Sequence, residues 1–213
     1  MDEKVRAMLD RITWLGHSSF KLSGSKIVYI DPWKVPSSAR GDGDIVLLTH
    51  DHNDHCSPED VRKVLKAGGK VMSAECCRSK YPNADIYTLP WMRHKVDGIE
   101  IYATAAYNIN KPHHLREQGH VGYVVTLDGV RIYHAGDCDA FPHMRDISCD
   151  IALLPVSGKF VMDYKEAVDA CLMLKPQVAI PMHWGSIDGL GSRMDAERFK
   201  ELAPCEVVIL EKG

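Results

Sequence analysis

Thr49-His50-Asp51-His52-Asn53-Asp54-His55 puts three histidines and two aspartates into seven residues. Few hydrophobic cores accommodate that crowding without a metal. His50 and His52 are two apart, so on an extended backbone they point the same way; Asp54 and His55 follow where the chain turns. Imidazole and carboxylate heads together suit zinc, iron or manganese rather than a cation bound by oxygen alone. The flanks locate the cluster. Asp44-Ile45-Val46-Leu47-Leu48 has the length and β-branched content of a buried strand. Ser57-Pro58-Glu59-Asp60 then supplies an N-cap serine, a proline at the first helical position and an acid at the third, which predicts a helix over Pro58 to Ala67. The histidines therefore occupy a strand-to-helix loop, and in an open α/β sheet such loops lie at the carboxyl ends of strands, where ligands bind. Asp51 and Asn53 are expected to hold the loop backbone.

The segment T-H-D-H-N-D-H resembles the H-x-H-x-D-H signature of the metallo-β-lactamase superfamily. That family carries a further histidine, a bridging aspartate and a last histidine, each just after a strand. Candidates follow here in that order: His113-His114 after the strand-like Ile99 to Ala103, Asp137 in Tyr133-His134-Ala135-Gly136-Asp137, and His183 in Pro181-Met182-His183-Trp184. Trp14-Leu15-Gly16-His17-Ser18-Ser19-Phe20 and Ile30-Asp31-Pro32-Trp33 complete the likeness, which is to the branch of ascorbate-phosphate lactonases and uncharacterised metal-dependent hydrolases. Two positions depart from it: Cys138 where threonine is expected after Asp137, and Val161 where threonine commonly precedes Met162. Neither is a ligand position, so the departures bear on substrate contacts.

The resemblance implies an αββα sandwich of the α/β (α+β) class, a single domain over 1–213. It implies two divalent metal ions, zinc before manganese, iron or nickel, held by His50, His52 and His114 on one side and by Asp54, His55 and His183 on the other, with Asp137 bridging. Either His113 or His114 can face the metal; the family pattern favours His114. Asp54 is the implied catalytic group, orienting or shuttling the proton of a metal-bound hydroxide. Five neutral imidazoles and two carboxylates carry about −2, so two divalent ions and one hydroxide leave roughly +1, a site that attracts anions. His17 and Asp31 are expected either to orient ligand imidazoles or to be turn residues, and His134 to belong to the core or to support a ligand. His94, His120 and His143 are expected to have no catalytic role. Trp33 and Trp184 follow motif residues closely enough to line a pocket, although a large aromatic is more often simply core.

Composition agrees with a single globular domain: 213 residues at 45% hydrophobic content can bury a sizeable core. No run approaches the ~20 apolar residues of a membrane span, and the charged Met1-Asp2-Glu3-Lys4 start lacks a secretory signal's apolar stretch. Seven scattered cysteines do not read as a disulfide framework, so a cytoplasmic setting is expected. Cys56 and Cys138 adjoin candidate ligands, but neighbours on extended chain point apart. A net charge of −3 argues against nucleic acid as the partner. Strands are expected at 11–15, 20–22, 26–30, 45–48, 70–73, 85–89, 99–105, 121–127, 131–134, 151–155, 178–181 and 207–210, and further helices at 74–81, 163–174 and 195–202.

The function expected is hydrolysis of a small anionic ester or lactone by a homo-oligomer that contacts no membrane. Two alternatives stay open. One is a phosphodiesterase of the N-acyl-phosphatidylethanolamine phospholipase D or ribonuclease Z type, which the W-x-G-H and D-P pairs also resemble. The other is an iron-bearing redox enzyme on the same fold.

Overall fold

The apolar runs pair into two sheets. A computed structural model describes residues 1–213. The first sheet orders β1 (Ile12–Gly16), β2 (Ser19–Ser23), β3 (Ile27–Ile30), β4 (Gly43–Leu48), β5 (Leu65–Ala74) and β6 (Ile86–Thr88) side by side. Its first three strands are antiparallel, and those from β3 onward run parallel. The second sheet holds β7 (Arg93–Val96), β8 (Ile99–Ala105), β9 (Val121–Leu127), β10 (Val130–His134), β11 (Ile151–Pro155), β12 (Val178–Met182) and β13 (Glu206–Val207) in sequential order. It repeats the scheme, antiparallel from β7 to β10 and parallel from β10 to β13. Every residue of β4, β11 and β12 is buried, because parallel strands are covered on both faces. With helices flanking the two sheets, this is the αββα sandwich.

Four helices complete the layers: α1 (Glu3–Leu9), α2 (Pro58–Val64), α3 (Tyr164–Leu174) and α4 (Arg193–Leu202). Ser57 caps α2, its hydroxyl accepting from the Asp60 amide at 3.3 Å. Asp163 and Glu166 close a reciprocal capping box on α3, which satisfies amide donors that the first turn leaves free. α3 and α4 pack on each other and on β11 and β12.

Some boundaries differ from the sequence pattern. The helix expected to reach Ala67 stops at Val64, since Leu65 turns extended and pairs with Gly43 to open β5. The helix expected at 74–81 is a single 3-10 stretch, Glu75–Ser79. The strand expected at 207–210 pairs only through Glu206 and Val207. Neither α1 nor the polar edge strand β7 was legible as periodicity.

The topology brings the expected site residues to one edge. His17 follows β1, Asp31 follows β3, residues 49–55 follow β4, His114 lies beyond β8, Asp137 beyond β10 and His183 beyond β12. The two sheets are tied there by Trp14 and Trp184, which stack with centroids 4.6 Å apart. Their indole N–H groups donate to the carbonyls of His17 and Pro181, and the His183 amide donates to the His17 carbonyl at 2.9 Å. These tryptophans belong to the core, each 5–6% exposed.

Asp137 depends on the glycine before it. Gly136 sits at φ 65°, and a Cβ there would lie 2.7 Å from the Val121 carbonyl oxygen. Gly136→Ala should therefore destabilise the metal-stripped protein by about 1–3 kcal/mol, the range for a strained backbone position, measured as a lower urea midpoint. An unchanged midpoint would show that the turn relaxes freely.

Candidate metal centre

Asp137 lies at the middle of the cluster, 3% exposed. Its Oδ2 is 3.2 Å from His183 Nε2, 3.5 Å from His114 Nε2 and 3.9 Å from His50 Nε2, while Oδ1 is 3.3 Å from His55 Nε2. His50 Nε2 and His52 Nδ1 approach within 3.1 Å, and Asp54 Oδ2 is 3.7 Å from His55 Nε2. The seven residues expected from the sequence thus converge from both sheets. Of the adjacent pair, His114 turns inward and is 3% exposed. His113 is exposed and packs edge-on against Phe160 at 4.9 Å. Two buried polar atoms, His55 Nε2 and Asp137 Oδ1, have no hydrogen-bond partner. Such orphans are rare and costly, and a cation between facing imidazole and carboxylate atoms satisfies both. The donor set fits a divalent transition metal.

Oxygen atoms hold the imidazoles from behind. Asp31 Oδ2 accepts from His55 Nδ1 at 2.7 Å and from the Thr49 hydroxyl at 2.6 Å. Thr49 Oγ1 in turn lies 3.0 Å from His50 Nδ1, and Ser157 Oγ lies 2.8 Å from His183 Nδ1. Asp31 therefore orients an imidazole rather than merely closing a turn. His17 is fully buried with Nε2 3.0 Å from Asp54 Oδ2, and with Asp54, His55 and His183 it forms one converging group. His134 is a core residue with both nitrogens used, one on the Ser18 carbonyl and one on the Gly136 amide.

Burial sets the charge states. It pushes His17 and His114 down to about 4 and holds His50 well below its ordinary value, so all three are neutral, as metal ligation requires. Burial alone would raise the Asp137 carboxyl, yet His183 and His55 hold it well below the usual range. Burial would likewise raise Asp54, but its hydrogen bond from His17 lowers it. His55 is the exception: burial disfavours its charge, but Asp137 and Asp31 raise it well above the ordinary imidazole value.

Several neighbours were not foreseen. His120, expected to stand apart from the chemistry, is 2% exposed and stacks on His50, with Nδ1 3.3 Å from His114 Nδ1. It immediately precedes β9, whose antiparallel pairing with β8 brings it to the same edge; strand direction was the available signal. Lys111 binds buried Asp139 and Glu166 and so anchors the loop that carries His114. Cys56 engages Cys77, and Cys138 points its thiol at the Ala135 carbonyl at 3.6 Å, so neither thiol turns toward the centre. His94 bonds Thr88 and His143 lies against Trp91, away from the cluster.

Two sheets between helices with a buried histidine–aspartate cluster at their common edge make a metal site, and with the similarities that follow it marks a metal-dependent hydrolase. The model of the beta-lactamase superfamily domain matches residues 11–183, and the chain belongs to the metallo-β-lactamase superfamily. It is 36% identical to a UPF0173 metal-dependent hydrolase of Pyrococcus furiosus, over 95% of this chain and 97% of the relative. A UPF0173 metal-dependent hydrolase of Nitratidesulfovibrio vulgaris is 37% identical over 91% and 87%. Among solved structures, a metallo hydrolase from Ignicoccus hospitalis superposes with a TM-score of 0.78 at 27% identity, covering 95% of each chain. No helix is long and apolar enough to cross a membrane.

The buried histidines make an acid-labile apoprotein. His17, His114 and His120, each pushed down to about 4, bind fewer protons folded than in the unfolded chain, where the ordinary value is 6.5. Between those values the unfolded state takes up more protons, so these groups remove stability as pH falls from about 6.5 to about 4. His55, raised in the fold, changes stability only above 6.5 and is level across this window, while His50, held well below its ordinary value, adds to the loss. The Tm of metal-stripped protein should fall across that window; a flat or rising profile toward acid would contradict the neutral assignment.

Proposed function

We propose that this hydrolase cleaves a small anionic ester or lactone at a dinuclear centre. His50, His52 and His114 would hold one divalent ion, Asp54, His55 and His183 the other, and Asp137 both. The nitrogen and oxygen donors suit zinc, with manganese, iron and nickel also compatible. Bound there, the ions would polarise the scissile carbonyl and make a nucleophile of water near neutral pH. The chain's own groups supply the rest. A neutral His17 has one ring proton, and the 3.0 Å contact with Asp54 Oδ2 puts it on Nε2. That bond keeps Asp54 a carboxylate, able to hold an ion and to accept the proton of the attacking water.

The observation that carries the substrate class is the cavity over the cluster. Its volume is about 300 Å³, at the small end for ligand sites. Lys159 is the one lysine or arginine in its wall, beside Phe160, Ile187 and Leu190. The Asn108 amide donates to the carbonyls of His113 at 2.8 Å and Phe160 at 2.7 Å, which fixes the two wall loops against each other. A small substrate with one anionic group for Lys159 and an apolar part for Phe160 matches this lining.

Metal analysis of the replete protein should give two ions per chain. His114→Ala should lose metal and hydrolysis, whereas His113→Ala should keep the metal. The reverse pattern would shift the ligand by one residue.

The substrate reading is tested on a panel of lactones, carboxylic esters, phosphodiesters and thiol persulfides. Anionic lactones or esters should turn over fastest, and Lys159→Ala should raise their KM more than that of neutral counterparts. Asp54→Asn should lower turnover by ~10²–10⁴, as loss of a general base does. Phosphodiesters turning over fastest would replace this reading with the phosphodiesterase one, and persulfide oxidation would replace it with the redox one.

A further inference from the structure

Among the imidazoles assigned to the ions, the nitrogen facing away from the centre meets oxygen in three cases: Thr49 for His50, Asp31 for His55 and Ser157 for His183. His52 is exposed. His114 differs, because its outward Nδ1 meets another imidazole nitrogen, His120 Nδ1, at 3.3 Å.

Counting protons decides what that contact can be. If His114 turns the Nε2 lone pair toward the ions, its single proton sits on Nδ1 and needs an acceptor. His120 Nδ1 can accept only if the proton of His120 is on Nε2, the atom that faces Asp51 Oδ1 at 3.9 Å. We propose that His120, neutral and protonated on Nε2, is the positioning residue of His114: it accepts the His114 Nδ1 proton and fixes both tautomer and ring plane. The inference rests on His114 being a ligand.

The surroundings hold His120 to that task. Its ring stacks on His50 with centroids 4.7 Å apart and planes 24° apart. Its carbonyl accepts from the Ala106 amide, and the next amide, Val121, donates to the Thr49 carbonyl. The same count removes a competing role. Asp51, Cys76 and His120 lie close enough together to hold a cation. Ligation there through His120 Nε2 would leave protons on both facing Nδ1 atoms, which would collide at 3.3 Å. The cluster cannot take an ion by that nitrogen while His114 holds one by its own Nε2.

Three substitutions separate acceptance at Nδ1 from mere filling of space. His120→Asn can place an amide oxygen near the position of Nδ1, His120→Gln places its amide near Nε2, and His120→Leu supplies neither. Chelator competition should show zinc affinity for the Asn variant close to that of the unsubstituted protein. The Gln and Leu variants should bind ~10–100-fold more weakly, the usual cost of removing the partner of a ligand histidine. Ring-nitrogen NMR of the zinc-loaded, unsubstituted protein should show the His120 proton on Nε2, a readout that needs no variant to fold. Equal affinities for Asn and Gln, or a proton on His120 Nδ1, would overturn the proposal while leaving His114 a ligand. Full metal retention by His114→Ala would instead remove the ligand reading, and this one with it.

Discussion

The site depends first on the buried carboxylate of Asp31. Fully shielded from water, it accepts from the Thr49 amide at 2.8 Å, the Thr49 hydroxyl at 2.6 Å and His55 Nδ1 at 2.7 Å. Its own amide donates to the Leu47 carbonyl, and its carbonyl accepts from the Ser19 hydroxyl. One residue thus knots the ends of β2, β3 and β4 to the histidine loop. A charge so deeply buried is tolerated only when fully hydrogen-bonded, so the requirement to satisfy Asp31 also fixes where His50 and His55 can point.

The turns that aim the side chains are conformationally costly. His17, Asp31, His114 and His183 have φ of 54°, 45°, 54° and 61°, a left-handed region that non-glycine residues seldom occupy. Each costs of order 1–3 kcal/mol unless its surroundings repay it. Repayment is visible at every one: His17 takes a hydrogen bond from Trp14 and from the His183 amide on its carbonyl, Asp31 has its three donors, the His114 carbonyl accepts from the Asn108 amide, and His183 meets Ser157. Strain is concentrated where several strand ends must turn side chains inward within a few residues.

What could be read from the sequence follows from which signals are local. The central strands β8, β9 and β11 were legible to the residue, because burial makes them continuous or alternating apolar runs. The histidine loop was legible because four of its donors are neighbours in the chain. Strand β7, Arg93-His94-Lys95-Val96, has a single buried side chain and carries no apolar pattern, and the short α1 buries only Val5 and Met8. The end of α2 is not encoded locally, since the switch at Leu65 comes from pairing with Gly43, a contact that helical propensity does not register. His120 is silent in the sequence for a similar reason: nothing within its own segment, Gln118-Gly119-His120-Val121, announces that β9 starts beside β4's loop. The supporting hydroxyls of Thr49 and Ser157 were invisible too, since lone hydroxyl residues have no signature until their partner is known.

The stacked indoles of Trp14 and Trp184 come from opposite ends of the chain and from different sheets, yet they adjoin the carbonyl and amide that tie His17 to His183. Two indoles with centroids 4.6 Å apart and planes 27° apart are close enough to couple optically. The protein therefore carries an intrinsic spectroscopic marker for the docking of its two halves. Its near-ultraviolet circular dichroism should carry a contribution from that pair, which is lost when the edge comes apart.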